Sequence, residues 1–580
     1  MQIMNASRDT VVRTLTCAVF GIGLFAPAAA HAQSGEPIAR TEFTAAYAGE
    51  AKLALTASAP GTEWGTAGKE SAMLEVAVDG KPVTNVVTFN GAVPLEYDLA
   101  LGRVSAGKHE ITVKVDAAKS PSLQAEVTSM KPSMAPEGDV VARYAPILYG
   151  RNLPEIPGAF ENANTDVPML AYHVASADAQ GNRVIEYTVI WSNEDGGTNT
   201  PSLMARWGRT TDIEWFYRVT VDAQGNRITD AFQALNHGTE AFNGVREDDH
   251  PLIQVSSSNN NMTAVTDVAT STGYRFFLAT DEVLPPNRAR EAMMDAHPWS
   301  YLVMAKEVAR EGRIEAIADP ATLAMSDQRN YLFAEVAKTT RYATPPRAGS
   351  WAGTALAAKV GGVWYTSHHN SASISIERDL PAATTIELPP GSTPKDIEAI
   401  KAIAVPNGAP GDYSIDVTSL NRGFLLGTDY LPTGSFVNWV GKQTLTPQRT
   451  EALLWENRNV VGGAVGGTVP ATLALTLGTA PSFGAFTPGV AQTYTTGTIA
   501  DVTSSAGDAA LTVSDPGHLS NGAFSLPEPL LVQFSKSAWT GPVSHDSVAI
   551  DFTQRIGAND ALRTGSYSKT LTFTLSTQTP

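Results

Sequence analysis

The chain has 580 residues, a formal net charge of −17 and a single cysteine, and charged residues make up 17% of it. The acidic balance argues against binding to nucleic acid or to an anionic membrane through bulk electrostatics. The length exceeds what one hydrophobic core supports, so we expect three or four domains. Beyond the N-terminal segment, no stretch approaches the ~20 apolar residues of a membrane span.

Residues 1–32 have the pattern of a secretory signal peptide. Two arginines precede an apolar run over residues 17–30, and the small residues of a cleavage site end at Ala32. The only cysteine, Cys17, falls within this segment, so the mature chain has no disulfides and no thiolate chemistry. We therefore expect a secreted or periplasmic bacterial protein that is cleaved after Ala32.

Residues 33–130 are predicted to form an N-terminal β-sandwich of the jelly-roll type. Two alternating runs meet at Asp79-Gly80, a pair typical of a tight hairpin. The order of strands resembles the jelly-roll modules that accompany secreted glycoside-active enzymes, and such modules often bind sugars. Trp64 and Tyr97 either stack on a sugar ring or pack in the core.

Residues 138–457 are predicted to form a central β-rich domain. The sequence DAQGNR occurs twice, at residues 178–183 and 222–227, and each copy separates two strand-like runs. A tight turn at each copy predicts two hairpins, and two successive hairpins indicate a meandering antiparallel sheet.

Helices are predicted in few places. The best candidates are residues 285–298 and 301–312, whereas residues 393–406 fit either a helix or a strand. Residues 470–580 follow a Gly-rich linker, are rich in Thr and Ser, and resemble β-sandwich modules of exported bacterial surface proteins. The predicted fold class is therefore mainly β and multidomain, with a central antiparallel domain between two β-sandwiches.

The sequence GRTTDIEWFYRV contains two carboxylates that need an explanation. Asp212 and Glu214 stand two residues apart in a predicted strand, so their side chains should share one face. Such a pair can share a metal, divide acid and base roles, or hold arginines such as Arg206 and Arg209 in a structural network. The residues leave these alternatives open.

Other polar residues follow neighbouring strands. Glu194 and Asp195 precede a Gly-Gly turn and, beside another carboxylate strand, favour a hard cation such as Ca²⁺. His237 follows the strand after the second DAQGNR turn and is predicted near Asp212. The predicted substrate-binding residues are Arg206, Arg209, Glu194, Asp195, Asn259 and Asn261.

Three segments together resemble the vacuolar protein sorting-associated protein 62 family and its bacterial relatives. The matching positions are Tyr144 to Ile147, Asp212 and Glu214, His237-Gly238, and Ser256-Ser257. Asn259 to Asn261 stand where that family has histidines. The resemblance covers about 120 residues, and because the family has no settled activity it implies where a site lies more than what the site does.

The modular layout favours a secreted hydrolase or lyase that acts on a polysaccharide or another cell-envelope polymer. On this hypothesis Asp212 and Glu214 serve as acid and base or nucleophile, with His237 assisting, and either an inverting or a retaining outcome is open. The alternatives are a non-catalytic secreted binding protein and a calcium-stabilised surface protein. No motif for a cofactor or a resident metal is present.

Overall fold

The computed structural model describes residues 11–15, 35–151, 166–194, 199–270, 274–457 and 472–577. Strands account for 49% of the residues and helices for 8%, which confirms the predicted mainly β, multidomain fold class. The chain divides into two compact units, Gly23–Asn459, and Val460–Pro580 together with Met1–Ile22. None of the described helices has the length and apolar character needed to cross a membrane.

Most of the predicted signal peptide lies outside the described residues. The exception is a short strand, β1 (Val11–Leu15), which pairs antiparallel with the last strand of the chain. Cleavage after Ala32 stays a prediction.

The first seven strands of the larger unit form two antiparallel sheets. They are β2 (Ala39–Ala45), β3 (Gly49–Ser58), β4 (Met73–Val78), β5 (Lys81–Val87), β6 (Leu95–Val104), β7 (Gly107–Val115) and β8 (Glu126–Met134). One sheet has the order β2-β7-β4-β5 and the other β6-β3-β8. Asp79 and Gly80 connect β4 to β5 with φ values of 50° and 80°, the left-handed pair that a tight hairpin requires. Trp64 and Tyr97 are buried at 0% and 7% exposure, so both pack in the core.

The next part of the chain carries two sheets and the α-helices. Its elements are α1 (Val140–Arg143), β9 (Ile147–Tyr149), β10 (Pro168–Ala177), β11 (Arg183–Trp191), α2 (Thr200–Trp207), β12 (Ile213–Val221), β13 (Arg227–Gln233), β14 (Thr239–Ala241), β15 (Arg246–Glu247), β16 (His250–Val255), β17 (Met262–Ala264), β18 (Arg275–Phe276), α3 (Ala292–Ala296) and α4 (Trp299–Arg310). The strands form an antiparallel meander, β10-β11-β12-β13-β14, and a second sheet, β15-β16-β9-β18, with β17 beside β16.

The two DAQGNR segments form the turns of this meander. In the first, the Asp178 carboxylate accepts hydrogen bonds from the amides of Gln180 (2.9 Å) and Asn182 (2.8 Å), and Gly181 has φ 84°. Asp222 repeats the pattern in the second copy. An aspartate that holds its own turn and a glycine that supplies the left-handed residue explain why both copies form hairpins, which confirms the predicted meander.

Two further antiparallel sheets occupy residues 331–456. Their strands are β19 (Tyr331–Tyr342), β20 (Trp351–Val360), β21 (Val363–Thr366), β22 (Leu380–Glu387), β23 (Ile397–Asn407), β24 (Tyr413–Phe424), β25 (Trp439–Leu445) and β26 (Glu451–Glu456). The orders are β22-β19-β24-β25 and β21-β20-β23-β26, with a separate core between them. The segment left open between helix and strand is therefore a strand, β23, whereas α3 and α4 confirm the two helix candidates.

Helix α2 packs against β22 of this pair of sheets. It ends at Gly208, whose φ is 65° and whose Cβ, if present, would lie 2.8 Å from the amide nitrogen of Thr384. Thr384 and Thr385 donate hydrogen bonds to the carbonyls of Ala205 and Met204 at the end of the helix. Glycine is thus required both by the turn and by the close approach of the strand.

The smaller unit is built from strands that pack around a third core. They are β27 (Leu473–Leu477), β28 (Gln492–Ser504), β29 (Ala509–Val513), β30 (Ser520–Asn521), β31 (Phe524–Ser525), β32 (Leu531–Phe534), β33 (Ala538–Trp539), β34 (Val543–Ile556) and β35 (Leu571–Ser576). The main sheets have the orders β27-β28-β34-β32 and β1-β35-β29-β33.

One continuous core joins the N-terminal sheets to the meander and to α3 and α4. It extends from Ala45 to Leu426 and includes Trp191, Tyr217 and Tyr301, all at most 1% exposed. The meander is therefore anchored on both sides, and polar side chains at the start of β12 are held by a rigid scaffold.

Candidate functional site

Asp212 and Glu214 lie at the start of β12, the middle strand of the meander. Asp212 immediately precedes the strand and is 3% exposed, and its carbonyl accepts a hydrogen bond from the amide of Trp191 (2.9 Å). Glu214 lies within the strand and keeps 19% of its side chain exposed. Burial, and after it the negative charge of Glu214, raise the pKa of Asp212. The two carboxyl groups therefore differ in exposure, because Asp212 is buried and Glu214 is partly exposed.

The strand that carries them contains a β-bulge. Trp215 pairs with Thr188 and Tyr217 with Tyr187, which leaves Phe216 without a partner on β11. Ile213 is 1% exposed and packs in the core, whereas Trp215 is only half-buried and lies beneath the guanidinium of Arg218, at 4.4 Å. Bulges twist a strand locally and re-aim side chains beside functional sites.

The carboxylate of Asp212 belongs to a buried polar network. Asn260 Nδ2 donates to Asp212 Oδ2 (2.9 Å) and also to both carboxylate oxygens of Asp166 (3.1 and 3.2 Å). Arg151 forms an ion pair with Asp166 and donates from Nε to Asn260 Oδ1 (3.2 Å). Asp166 and Asn260 are both 0% exposed. One amide therefore connects two carboxylates and a guanidinium.

Glu214 is held by a second set of contacts that reaches the surface. Gln233 Nε2 donates to Glu214 Oε2 (2.9 Å) and to His237 Nδ1 (3.0 Å). His237 Nδ1 lies 3.6 Å from Glu214 Oε1, and half of the His237 side chain (52%) is exposed. The Asn259 side-chain amide lies 3.2 Å from His237 Nε2. Glu214, His237 and Asn259 thus form a polar group that solvent reaches.

The backbone around these side chains is strained at four non-glycine positions. Asp166, Asn236, His237 and Asn260 have φ values of 46°, 54°, 56° and 48°. Such left-handed residues cost about 1–2 kcal/mol each unless glycine is present. Asn261 supports the strained pair, because its Oδ1 accepts a hydrogen bond from the amide of Asn236 (2.8 Å). Strain of this kind concentrates at functional sites.

Burial sets the protonation of both carboxyl groups. Burial and the charge of Glu214 raise the pKa of Asp212 to about 7, against the opposing effects of Arg209, Asn260 and Arg151. Burial also raises the pKa of Glu214, although the hydrogen bond from Gln233 lowers it. The pair therefore retains a proton at pH values where exposed carboxyl groups are fully ionised.

The arginines proposed as partners form their ion pairs with other carboxylates, although the charge of Arg209 opposes the rise in the pKa of Asp212. Arg209 is buried, donates from Nε to Glu291 Oε1 (2.8 Å) and bonds the carbonyl of Thr211. Arg206 lies 4.3 Å from the Trp207 ring and 3.4 Å from Glu377. Within the described residues, neither Asp212 nor Glu214 forms an ion pair with an arginine.

The remaining candidates are dispersed. Glu194 is half-buried, and its charge raises the pKa of Arg209, whereas Asp195 lies outside the described residues. The described part of the chain contains no group of three or more His, Cys, Asp or Glu side chains placed to hold a metal. Because Asp195 is not among those residues, the calcium hypothesis stays a prediction.

Sequence reasoning missed the residues that organise the site. Asp166 and Arg151 stand in no motif, and Gln233 is an ordinary residue at the end of β13. Asn260 lies between Asn259 and Asn261, and the sequence predicts these two neighbours, not Asn260, as substrate-binding residues. Only the folded structure shows that the Asn260 amide is buried between the carboxylates of Asp166 and Asp212.

Comparisons with known proteins give no family. No protein-family model matches the chain, and no curated protein matches it. Among solved structures, a sugar-binding EclA C-terminal domain is 15% identical over 23% of this chain and 83% of its own, with a TM-score of 0.14. A ruminal GH26 endo-β-1,4-mannanase is 13% identical over 22% of each chain, also with a TM-score of 0.14. A Pleurotus ostreatus lectin is 10% identical over 70% of this chain and 74% of its own, with a TM-score of 0.09. Similarity at this level carries no argument about this chain.

Proposed function

We propose that the protein is an exported hydrolase or lyase that acts on a polysaccharide or another cell-envelope polymer, with its chemistry at Glu214. The observation that carries the proposal is the unequal carboxyl pair: Asp212 is sealed inside, and Glu214 reaches solvent beside His237. A carboxyl with a raised pKa at a solvent-accessible position is what general acid–base catalysis near neutral pH requires.

Glu214 is assigned the proton transfer at the bond that breaks. Burial raises its pKa, which favours the protonated form that a general acid needs. Asp212 is assigned a positioning role, because it is buried and does not reach a polymer; the hydrogen bond from Asn260 holds its carboxylate in place. This division differs from a glycosidase in which two exposed carboxylates flank the substrate.

His237 is assigned a binding role beside Glu214. The side-chain amide nitrogens of Gln233 and Asn259 lie 3.0 Å from Nδ1 and 3.2 Å from Nε2, so both ring nitrogens are held by neighbouring amides. Half of the His237 side chain is exposed, and this exposed ring can contact the polymer beside Glu214. The left-handed backbone at Asn236 and His237 fixes the ring in this place.

The proposal is tested by screening the exported protein against a panel of polysaccharides and ester-bearing polymers. The wild type is compared with Glu214→Gln, which keeps the shape and removes the proton transfer, and with Glu110→Gln, an exposed change of the same kind on β7. Glu214→Gln should lower turnover by about 10²–10⁴-fold, while Glu110→Gln should leave it unchanged. Full turnover in Glu214→Gln would reject the assignment.

The buried network favours one other candidate, a non-catalytic exported binding protein. Asp212, Asn260, Asp166 and Arg151 form a closed set of contacts that a purely structural role would explain. On this alternative, Asp212→Asn and Glu214→Gln alter the melting temperature, and no polymer in the panel is cleaved by any variant or by the wild type.

A further inference from the structure

A cavity of about 220 Å³ lies between the N-terminal sheets and the chain that follows β18. Leu99 of β6 forms an antiparallel bridge with Leu278, and the amide of Ala100 donates to the carbonyl of Phe277 (3.0 Å). The start of β10 and Trp299 of α4 complete the wall. Four separate stretches of the larger unit therefore build one concave site, and none of its lining residues belongs to the Glu214 site.

Aromatic side chains form the apolar part of the lining. The rings of Phe89 and Trp299 are stacked, with centroids 5.6 Å apart and an interplanar angle of 25°, and Tyr97 lies 6.4 Å from Phe89. Phe89 and Tyr97 are 3% and 7% exposed, whereas Trp299 is only half-buried. A half-buried indole at a cavity wall offers a flat surface to a ring or to a cation.

Four carboxylates surround the opening, and three of them already have a basic side chain as a partner. The pairs are Glu96 with Lys131 (3.0 Å), Asp281 with Lys52 (2.7 Å), and Glu282 with His297 (2.8 Å). Each of these carboxylates retains acceptor sites beyond its single partner.

Asp98 is the fourth carboxylate, and it differs from the others. Its side chain is exposed among the residues that line the cavity, and in the described part of the chain it makes no hydrogen bond or ion pair with another residue. Desolvation of the carboxyl group and the charges of Glu96, Glu282 and Asp281 raise its pKa, whereas His297 lowers it. A cation placed beside Asp98 would relieve the repulsion among these carboxylates.

We propose that this cavity binds a small ligand with one primary ammonium group on a compact ring. The ammonium pairs with Asp98, and the ring lies against Trp299. The cavity is smaller than the roughly 300–1,000 Å³ of pockets for drug-sized ligands, which suits a single ring. The inference goes beyond the proposed function, because it concerns a different site with different residues.

Two kinds of ligand carry a primary ammonium group on a compact ring: an amino sugar, and a ring amine without hydroxyl groups. The free acceptor sites on the three paired carboxylates favour the amino sugar, because ring hydroxyls can donate to them. The probes are therefore D-glucosamine, cyclohexylamine and N-acetyl-D-glucosamine. The last has the sugar ring but no charge.

Binding to the full exported chain is measured by isothermal titration calorimetry and by saturation-transfer NMR. D-glucosamine and cyclohexylamine should bind, and N-acetyl-D-glucosamine should bind at least about tenfold more weakly than D-glucosamine. Tighter binding of D-glucosamine than of cyclohexylamine identifies an amino sugar as the source, and equal binding identifies ring amines in general.

Substitutions at Asp98 test whether the ammonium group binds at this carboxylate. Asp98→Asn and Asp98→Ser should weaken D-glucosamine binding about tenfold or more, while Glu110→Gln, the matched change outside the cavity, should not. The inference is overturned if neither amine binds, if the neutral sugar binds as well as the amine, or if both Asp98 variants bind like the wild type. Glu214→Gln should keep binding, and Asp98→Asn should keep any turnover, so failure here is distinct from failure of the proposed function.

Discussion

Asn260 Nδ2 lies 2.9 Å from Asp212 Oδ2, and the two residues are 0% and 3% exposed to solvent, respectively. The same amide nitrogen serves Asp166, while the amide oxygen accepts from Arg151. A neutral amide thus separates two buried carboxylates and orients a guanidinium. The arrangement makes Asn260 a residue on which both stability and the state of the carboxyl pair depend.

Asn260→Asp should destabilise the protein strongly. The change places a third carboxyl group against Asp212 and Asp166 and removes the amide donor that connects them. We expect a loss of about 3 kcal/mol in the free energy of unfolding at pH 7, measured by urea denaturation. Asn370→Asp is the control, because Asn370 is exposed and has a similar left-handed backbone, with φ 59°. Equal losses in the two variants would contradict the role of the buried network.

Asp212→Asn should change how stability depends on pH. The pKa of Asp212 is raised from 3.8 to about 7 in the folded protein, so between these values the folded state holds a proton that the unfolded chain has released. Stability therefore falls as pH rises through this window, and the raised pKa of Glu214 acts in the same direction. Asparagine does not ionise, so the Asp212→Asn variant should not lose stability through this group as pH rises.

The difference in the free energy of unfolding, Asp212→Asn minus wild type, should accordingly rise by about 3 kcal/mol between pH 5 and pH 8. Urea titrations at several pH values measure it. Parallel stability curves for the two proteins would show that Asp212 is ionised in the folded state.

Gln233→Leu should alter the pH profile of turnover. The hydrogen bond from Gln233 lowers the pKa of Glu214, so its removal raises that pKa further. If Glu214 acts as an acid, the alkaline limb of the pH–rate profile moves to higher pH, and the maximum rate falls because His237 loses its orienting partner. If the rate falls but the alkaline limb does not move, Gln233 does not act through the pKa of Glu214 and has only a structural role.

Asn236→Val should destabilise the protein, whereas Asn236→Gly should leave its stability nearly unchanged. Asn236 has φ 54°, a backbone conformation that glycine adopts freely and a β-branched residue resists. We expect Asn236→Gly to keep the melting temperature within a few degrees, and Asn236→Val to lose about 1–3 kcal/mol of stability. His237 follows directly, so the NMR chemical shifts of its ring should change in the valine variant only. Similar melting temperatures for both variants would mean that the loop relaxes at no cost.

The sequence by itself determined the local features of this protein. The Asp79-Gly80 turn, the two DAQGNR hairpins and the mainly β fold follow from turn chemistry and from side-chain alternation, which neighbouring residues decide. The position of Asp212 and Glu214 at the start of a core strand was also visible in the motif. Each of these features depends on interactions within a few residues of the chain.

Only the tertiary structure decided what surrounds the carboxyl pair. Asn260 is 94 residues from Asp166 and 48 residues from Asp212 along the chain, yet it bonds to both. Hydrophobic periodicity in the sequence does not indicate contacts over such separations. Residues 393–406, which fit a helix or a strand, became β23 because β20 and β26 flank it in a sheet. Burial and long-range packing set which carboxyl is sealed and which is exposed, and that difference is a property of the folded chain alone.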